Sequence, residues 1–206
     1  MSAATGNADA ARSLLHDLVR ALLRSERPEE AFQFALDRSC PVVGATLGSV
    51  FVVEGASELM RLEAAYGWHD RWRPWLSEMR VRLGVGPSGE AASERRVIEV
   101  PDVFADAGLE DWHEVAEELG FRALVALPLE APGEILGAAT FYFAEPGERS
   151  TEERTLLRAV ADVMAAMAER EALRTRVRRA EAALEDQRTP PTPRREDEED
   201  SEATDG

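Results

Sequence analysis

The sequence contains no lysine: its 24 basic side chains, among 206 residues, are all arginine, set against 40 acidic ones for a formal net charge of −16. Without lysine there is no Schiff-base nucleophile, no anchor for pyridoxal phosphate and no phosphate loop that depends on a terminal lysine. Cysteine occurs once, at Cys40, which excludes an internal disulfide, a dithiol redox pair and a cysteine-rich zinc site. No stretch approaches the roughly 18 apolar residues that a membrane-spanning helix requires. The segment before Arg12 has neither a basic residue nor an apolar run, so it does not read as a signal peptide. A lone thiol without a secretion signal fits the cytoplasm. An acidic balance of this size also opposes polyphosphate, since unneutralised carboxylates repel it.

What is present is enough for one ordinary domain with appendages, because 44% hydrophobic content can build a core. Residues 1–9 are small and polar and are expected to be mobile. From Ala10, Leu14, Leu15, Leu18, Val19, Leu22 and Leu23 recur at helical spacing. A second helix is expected to open at Pro28, with Glu29 and Glu30 in its first turn, and to stop before Pro41. The period then changes. Leu47–Val53 and Leu59–Tyr66 read as a hairpin turning near Gly55. Trp68, Trp72 and Trp75 lie at spacings of four and three, which places them on one helix face. Short strands are expected at 81–83 and 97–100, with a brief helix at 90–94 between them. A helix over 110–119 should end at Gly120. Strands at 123–129 and 135–143 follow, joined by Ala131-Pro132-Gly133-Glu134.

The last element is the longest. Ser150 and Glu153 form a capping box for a helix that can run to about Arg188. Its first half carries Leu156, Val160, Val163 and Met167, and its second half Leu173, Val177, Ala180 and Leu184, at the same spacings but out of phase. The first stripe reads as a domain-packing face and residues 171–188 as an extension with a coiled-coil seam. Arg170, Arg174, Arg176, Arg178 and Arg179 are interleaved with Glu171, Glu181 and Glu185, a pattern of solvated ion pairs rather than a nucleic-acid or membrane contact. Residues 189–206 hold seven acids, two arginines and no large apolar side chain, so they are expected to be disordered. That tail carries 2 − 7 = −5, leaving −11 on residues 1–188.

Gly84-Val85-Gly86-Pro87-Ser88-Gly89 matches the dinucleotide pattern G-x-G-x-x-G. It follows a hairpin, however, and the helix after it is too short for a βαβ unit, so it reads as a tight turn that needs glycine. Read together with its surroundings, the segment carries a family resemblance. Val81–Ala91, then Arg96–Asp102, Gly120–Leu129, Gly133–Gly137 and Ser150–Leu157 follow one another as in a GAF domain, and Gly44–Val53 resembles that family's first strand. The resemblance covers about residues 12–170 and places the GAF-like domain at 10–170. It implies an α+β fold: a central antiparallel sheet of about six strands, terminal helices on one face, and short helices and loops forming a pocket on the other. It also implies a sensory or regulatory module, dimeric through its terminal helices and relaying a small-molecule or partner signal to a separate signalling protein. An interaction scaffold of the same fold without a ligand is the alternative.

Departures from the family narrow the chemistry. Its methionine sulfoxide-reducing branch needs pocket cysteines, its bilin-binding branch an attachment cysteine in the middle region, and its cyclic-nucleotide branch a signature containing lysine. Cys40 lies just before the first strand, and lysine is absent. The chain is therefore expected not to be an enzyme and to hold neither metal nor cofactor. His69 or His113 could in principle ligate haem iron, but no metal-cluster spacing supports it. Candidate pocket residues are Trp68, Trp72, Trp75, Trp112, His113 and Phe121, with Asp102 and Arg122 as orienting polar groups. The aromatic rings could equally fill the space where relatives hold a ligand.

Overall fold

The computed structural model of the protein describes residues 2–55, 57–69, 71 and 78–188. The elements are α1 (Ser2–Arg24), α2 (Pro28–Val43), β1 (Leu47–Val53), β2 (Leu59–Tyr66), β3 (Arg80–Arg82), α3 (Gly86–Glu94) and β4 (Ile98–Val100). Two 3-10 turns, Val103–Ala105 and Ala107–Trp112, lead into α4 (His113–Leu119), followed by β5 (Ala123–Ala131), β6 (Glu134–Phe143) and α5 (Thr151–Arg188). The strands form one six-stranded sheet in the order β3-β2-β1-β6-β5-β4, and every pairing is antiparallel. The fold is α+β.

Alternation along the strands divides the interior in two. Ala139, Phe141 and Phe143 of β6, with Val125, Leu127 and Leu129 of β5, face α1, α2 and α5 in the larger core. Tyr142 of β6 and Leu124 and Ala126 of β5 face the opposite way, toward the short helices and turns. The terminal helices therefore pack on one face of the sheet, and the middle of the chain covers the other.

Local chemistry accounts for most boundaries. Pro28 opens α2 with Glu29 and Glu30 in the first turn, and Gly44 closes it in the left-handed conformation, donating its N–H to the Cys40 carbonyl. Pro41 does not end the helix, contrary to the expectation from its missing N–H. So close to the C-terminus it forfeits a single ladder bond, and the buried Ala35–Leu36–Ser39–Cys40–Val43 face holds the last turn in place. Helix α1 begins at Ser2 rather than Ala10, so the small residues expected as a mobile lead-in are helical. Alanine-rich sequence favours helix without an apolar stripe to announce it. The capping box at α5 is formed: the Ser150 N–H donates to Glu153 Oε2 (2.7 Å) and the Glu153 N–H to Ser150 Oγ (3.2 Å).

Two side-chain expectations shift. The buried stripe of α5 centres on Leu157, Val160, Met164 and Met167, while Leu156 and Val163 are only half-buried. Ala161, Ala165 and Ala168 widen the contact because their small side chains allow close approach. Arg170 is not part of a solvated charged face: its guanidinium donates to the carbonyls of Leu22 and Ser25 at the end of α1. The Leu22 carbonyl is one of the last four of α1, which lack a partner within the helix, and the Ser25 carbonyl lies just past its end.

The β1–β2 pairing contains a bulge. Val50 pairs with Ala64 and Phe51 with Leu62, leaving Glu63 as the extra residue. Its side chain is 2% exposed and ion-paired with Arg61. Burial raises the Glu63 carboxyl above its usual range, Glu29 and Glu171 add to the rise, and Arg61 offsets part of it.

Two compact units divide the chain, Met1–Ala172 and Leu173–Gly206. The described part of the second is the C-terminal stretch of α5, in which Leu173, Val177 and Leu184 are 51, 55 and 60% exposed. No helix among the described residues is long and apolar enough to cross a membrane.

Candidate functional site

The sheet face opposite the terminal helices carries a small chamber. Phe51 of β1 and Thr140 and Tyr142 of β6 line it from the sheet, with Phe121 beside them and Ser88 from the start of α3. Each is placed by a simple rule. Thr140 and Tyr142 are two apart on β6 and so share a face, while α3 is brought down onto the sheet by its glycines. Gly86 opens the helix at φ +63°, and a Cβ on Gly89 would lie 2.2 Å from the Arg82 carbonyl oxygen. The Gly84 N–H donates to the Gly89 carbonyl at 2.8 Å, closing the turn. The glycine motif thus serves a tight turn and close packing in an all-antiparallel sheet, not a βαβ dinucleotide fold.

Among the described residues, no acidic or basic side chain lines the chamber. Ser88, Thr140 and Tyr142 bring hydroxyls to it: Ser88 Oγ and Thr140 Oγ1 lie 2.8 Å apart, and Tyr142 OH lies 3.3 Å from the Oγ of Ser49, which is outside the lining. Burial pushes the Tyr142 hydroxyl up to about 12, with the Ser49 hydrogen bond a smaller opposing influence, so it is neutral at physiological pH. These groups can orient a ligand by hydrogen bonding, but none can serve as a general acid or base near neutrality. The chamber's free volume is about 30 Å³, room for a water molecule or two.

An open groove of about 640 Å³ lies against the chamber, and Met79, Val81, Val85, Leu109 and Trp112 line both. The groove adds charge: Glu78, Arg80, Arg82 and Asp111 border it. Among the described residues, no group of histidine, cysteine, aspartate or glutamate side chains is placed to hold a metal ion.

The site residues expected from sequence are distributed as follows. Phe121 and Trp112 line the chamber, and Phe121 packs edge-on against Tyr142 at 4.9 Å. Trp68 is half-buried beside it rather than in its lining: its indole N–H donates to the Gly48 carbonyl (3.2 Å) and its ring meets Tyr142 edge-on at 6.0 Å. Trp72 and Trp75 lie outside the described residues. Asp102 and Arg122 face each other away from the chamber, with Arg122 Nη2 2.5 Å from Asp102 Oδ2. Asp102 also accepts from the Phe104 N–H (3.2 Å), capping the first 3-10 turn. Arg122 lies over the Phe104 ring at 5.5 Å. His113 donates from Nε2 to the Val103 carbonyl at 3.0 Å. Asp102, Arg122 and His113 therefore tie the connection between β4 and β5 together. Cys40 is buried in the helix-side core, its thiol raised to about 12 by burial and by the nearby Asp37; it does not line the chamber.

Sequence reasoning passed over Phe51, Ser88, Thr140, Tyr142, Met79 and Val85. One signal was available for two of them: Thr140 is the lone polar side chain within the apolar run of β6, and period two pairs it with Tyr142. Selecting aromatic and charged residues by type missed the hydroxyls.

With this geometry in view, the comparisons with known proteins are consistent. The family model described as GAF domain matches residues 25–169. The chain belongs to the GAF domain family. No curated protein matches its sequence. Among solved structures, it is similar to the GAF domain from a phosphoenolpyruvate-protein phosphotransferase of Coxiella burnetii, at 20% identity and TM-score 0.70, covering 82% of this chain and 98% of that one. It is also similar to free methionine-R-sulfoxide reductase from Neisseria meningitidis in complex with its substrate, at 16% identity and TM-score 0.64, covering 79% and 91%. A third is a domain of a putative two-component sensor histidine kinase protein from Sinorhizobium meliloti 1021, at 19% identity and TM-score 0.57, covering 75% and 99%. At these identities the likeness is one of fold.

Proposed function

We propose that the protein is a sensory and regulatory module without catalysis of its own, dimeric through its terminal helices, which relays a small-molecule or partner signal to a separate protein in bacterial-type signalling. The observation that carries this reading is the double role of β6. Thr140 and Tyr142 line the chamber, while their neighbours Ala139, Phe141 and Phe143 are buried against the terminal helices. A ligand held against Thr140 and Tyr142 bears on the strand whose opposite face carries Phe141, and a close-packed core answers a shift of that strand by changing helix packing. The ligand then acts by favouring one of two packing arrangements.

The dimer rests on the exposed stripe of α5. Leu173, Val177, Ala180 and Leu184 occupy successive core positions of a heptad, and Arg176 and Glu181 then fall at flanking positions that meet across a parallel pair. Full burial of three such side chains at about 25 cal/mol per Å² is the driving term. Sedimentation velocity tests this directly. The full chain is expected to sediment as a dimer at micromolar concentration and Val177→Glu as a monomer; a dimer unaffected by the substitution removes the seam from the mechanism.

The small free volume supports a second reading, a scaffold whose chamber is filled by its own side chains and whose contacts are made by the helix and tail. Native mass spectrometry separates the two. A retained small mass supports the sensor, and a bare chain at every condition supports the scaffold.

A further inference from the structure

We propose that the chamber takes an uncharged, predominantly apolar molecule about the size of phenol, which enters from the groove by displacing the shared wall and is oriented by the Ser88 and Thr140 hydroxyls. The proposal rests on the sensory reading and gives its ligand a chemical class.

Charge comes first. A carboxylate, phosphate or ammonium group inside the chamber would meet no opposite charge from the described lining, whose polar side chains, the Ser88, Thr140 and Tyr142 hydroxyls and the Trp112 indole, are all neutral. Desolvating an ion without a partner is prohibitive. The charged side chains Glu78, Arg80, Arg82 and Asp111 border the groove alone, so they can act only on parts of a molecule that remain outside.

Size comes next. An apolar cavity of about 150 Å³ is known to accept benzene, whereas this one offers about 30 Å³. A single ring therefore needs the lining to yield, and the lining is unequal. On the sheet side Phe51, Phe121, Thr140 and Tyr142 are almost fully buried. On the groove side Met79, Val81 and Trp112 are half-buried and Val85 is 58% exposed, and of the shared apolar wall only Leu109 is buried. Groups with few buried contacts move at least cost, and the groove behind them supplies the space.

Polarity completes the class. The Ser88–Thr140 pair holds one shared hydrogen bond, and between them the two hydroxyls retain a donor hydrogen and free lone pairs. One hydroxyl or carbonyl on the ligand can join this pair, whereas a molecule with several polar groups would leave some of them unsatisfied.

The test uses the full chain and three probes of similar size: phenol, toluene and benzoate. Methyl 1H–13C spectra follow Met79, Val81 and Val85 during each titration. Saturable shifts are expected with phenol and toluene, and benzoate is expected to bind at least about tenfold more weakly than phenol. Thr140→Val, which keeps the shape and removes the hydroxyl, is expected to weaken phenol about three- to tenfold while leaving toluene within about twofold. Ser88→Ala serves as the second variant, with circular dichroism checking that each is folded. Benzoate binding as well as phenol overturns the class while leaving the sensory reading in place. No saturation with any probe also overturns it, and the native mass spectrum then decides separately whether the sensory reading falls too. Equal losses for phenol and toluene in both variants overturn the assignment of the hydroxyl pair.

Discussion

Replacing Gly89 with alanine sets two effects against each other at one position of helix α3. Helix propensity alone favours alanine by about 1 kcal/mol. The close approach of α3 to β3 opposes it, because the new Cβ would lie 2.2 Å from the Arg82 carbonyl oxygen and 3.2 Å from the Gly84 nitrogen. Both neighbours are backbone and cannot rotate away. Relief requires a shift on the order of 1 Å, at the cost of overpacking, about 1–3 kcal/mol. The same shift strains the Gly84 N–H to Gly89 carbonyl bond (2.8 Å) and the Val85 N–H to Arg82 carbonyl bond (3.1 Å), each worth about 0.5–1.5 kcal/mol. The net expectation is a destabilisation of about 1–5 kcal/mol, the upper end applying if both bonds are lost. Urea unfolding at 25 °C, followed by circular dichroism and tryptophan fluorescence, measures it. Gly6→Ala is the control, since Gly6 lies in α1 with nothing within 4 Å of an added Cβ, and it should be neutral or stabilising by up to about 1 kcal/mol. If Gly89→Ala raises stability as Gly6→Ala does, the close approach of α3 to β3 is wrong, and with it the placement of Ser88 against Thr140.

Two further outcomes follow from buried groups on the helix side of the sheet. Burial and the neighbouring Glu29 and Glu171 raise the Glu63 carboxyl despite Arg61, so the folded state holds its proton more tightly than the unfolded chain and loses stability as pH rises above the ordinary 4.5. Glu63→Gln should therefore gain on the parent protein progressively from pH 4.5 upward in urea midpoint; a difference that does not vary with pH would contradict this. Cys40 is raised from 9.0 to about 12, which lowers its thiolate fraction about a thousandfold at pH 8. Labelling by a disulfide reagent should be slower by at least that factor in the native protein than in urea, and rapid native labelling would refute its burial.

Much of the architecture was legible because it depends on local rules. The hairpin Leu47–Val53/Leu59–Tyr66, the stop at Gly120 and the capping box at Ser150 and Glu153 follow from side-chain periodicity, left-handed backbone and orphan helix donors, all of which act within a few residues. The failures have physical causes too. Pro41 is tolerated because tertiary burial of the surrounding turn outweighs one missing bond. The bulge at Glu63 carries no local signature, because register is set between strands. Asp102 and Arg122 have the chemistry of ligand-binding groups, yet they pair with each other and cap a turn; residue type alone does not distinguish the two roles.

The absences in the sequence already determined what chemistry is out of reach: without lysine and with a single cysteine, no arrangement of this chain supplies a Schiff base, a dithiol or a cysteine-rich metal site. Periodicity likewise marked the hairpins and the long terminal helix, while their α+β arrangement was implied by the resemblance to the GAF family. Only the tertiary structure decided that the lone thiol is sealed in the helix-side core. It alone turned the glycine motif into a packing contact, and it alone made neutral hydroxyls, rather than the expected charged pair, the polar groups of the chamber. The reason is the pleat of the sheet: successive residues of β6 point to opposite faces, so one strand contributes to both a helix-packing core and a ligand chamber, and which side chains meet there depends on strands and helices distant in sequence.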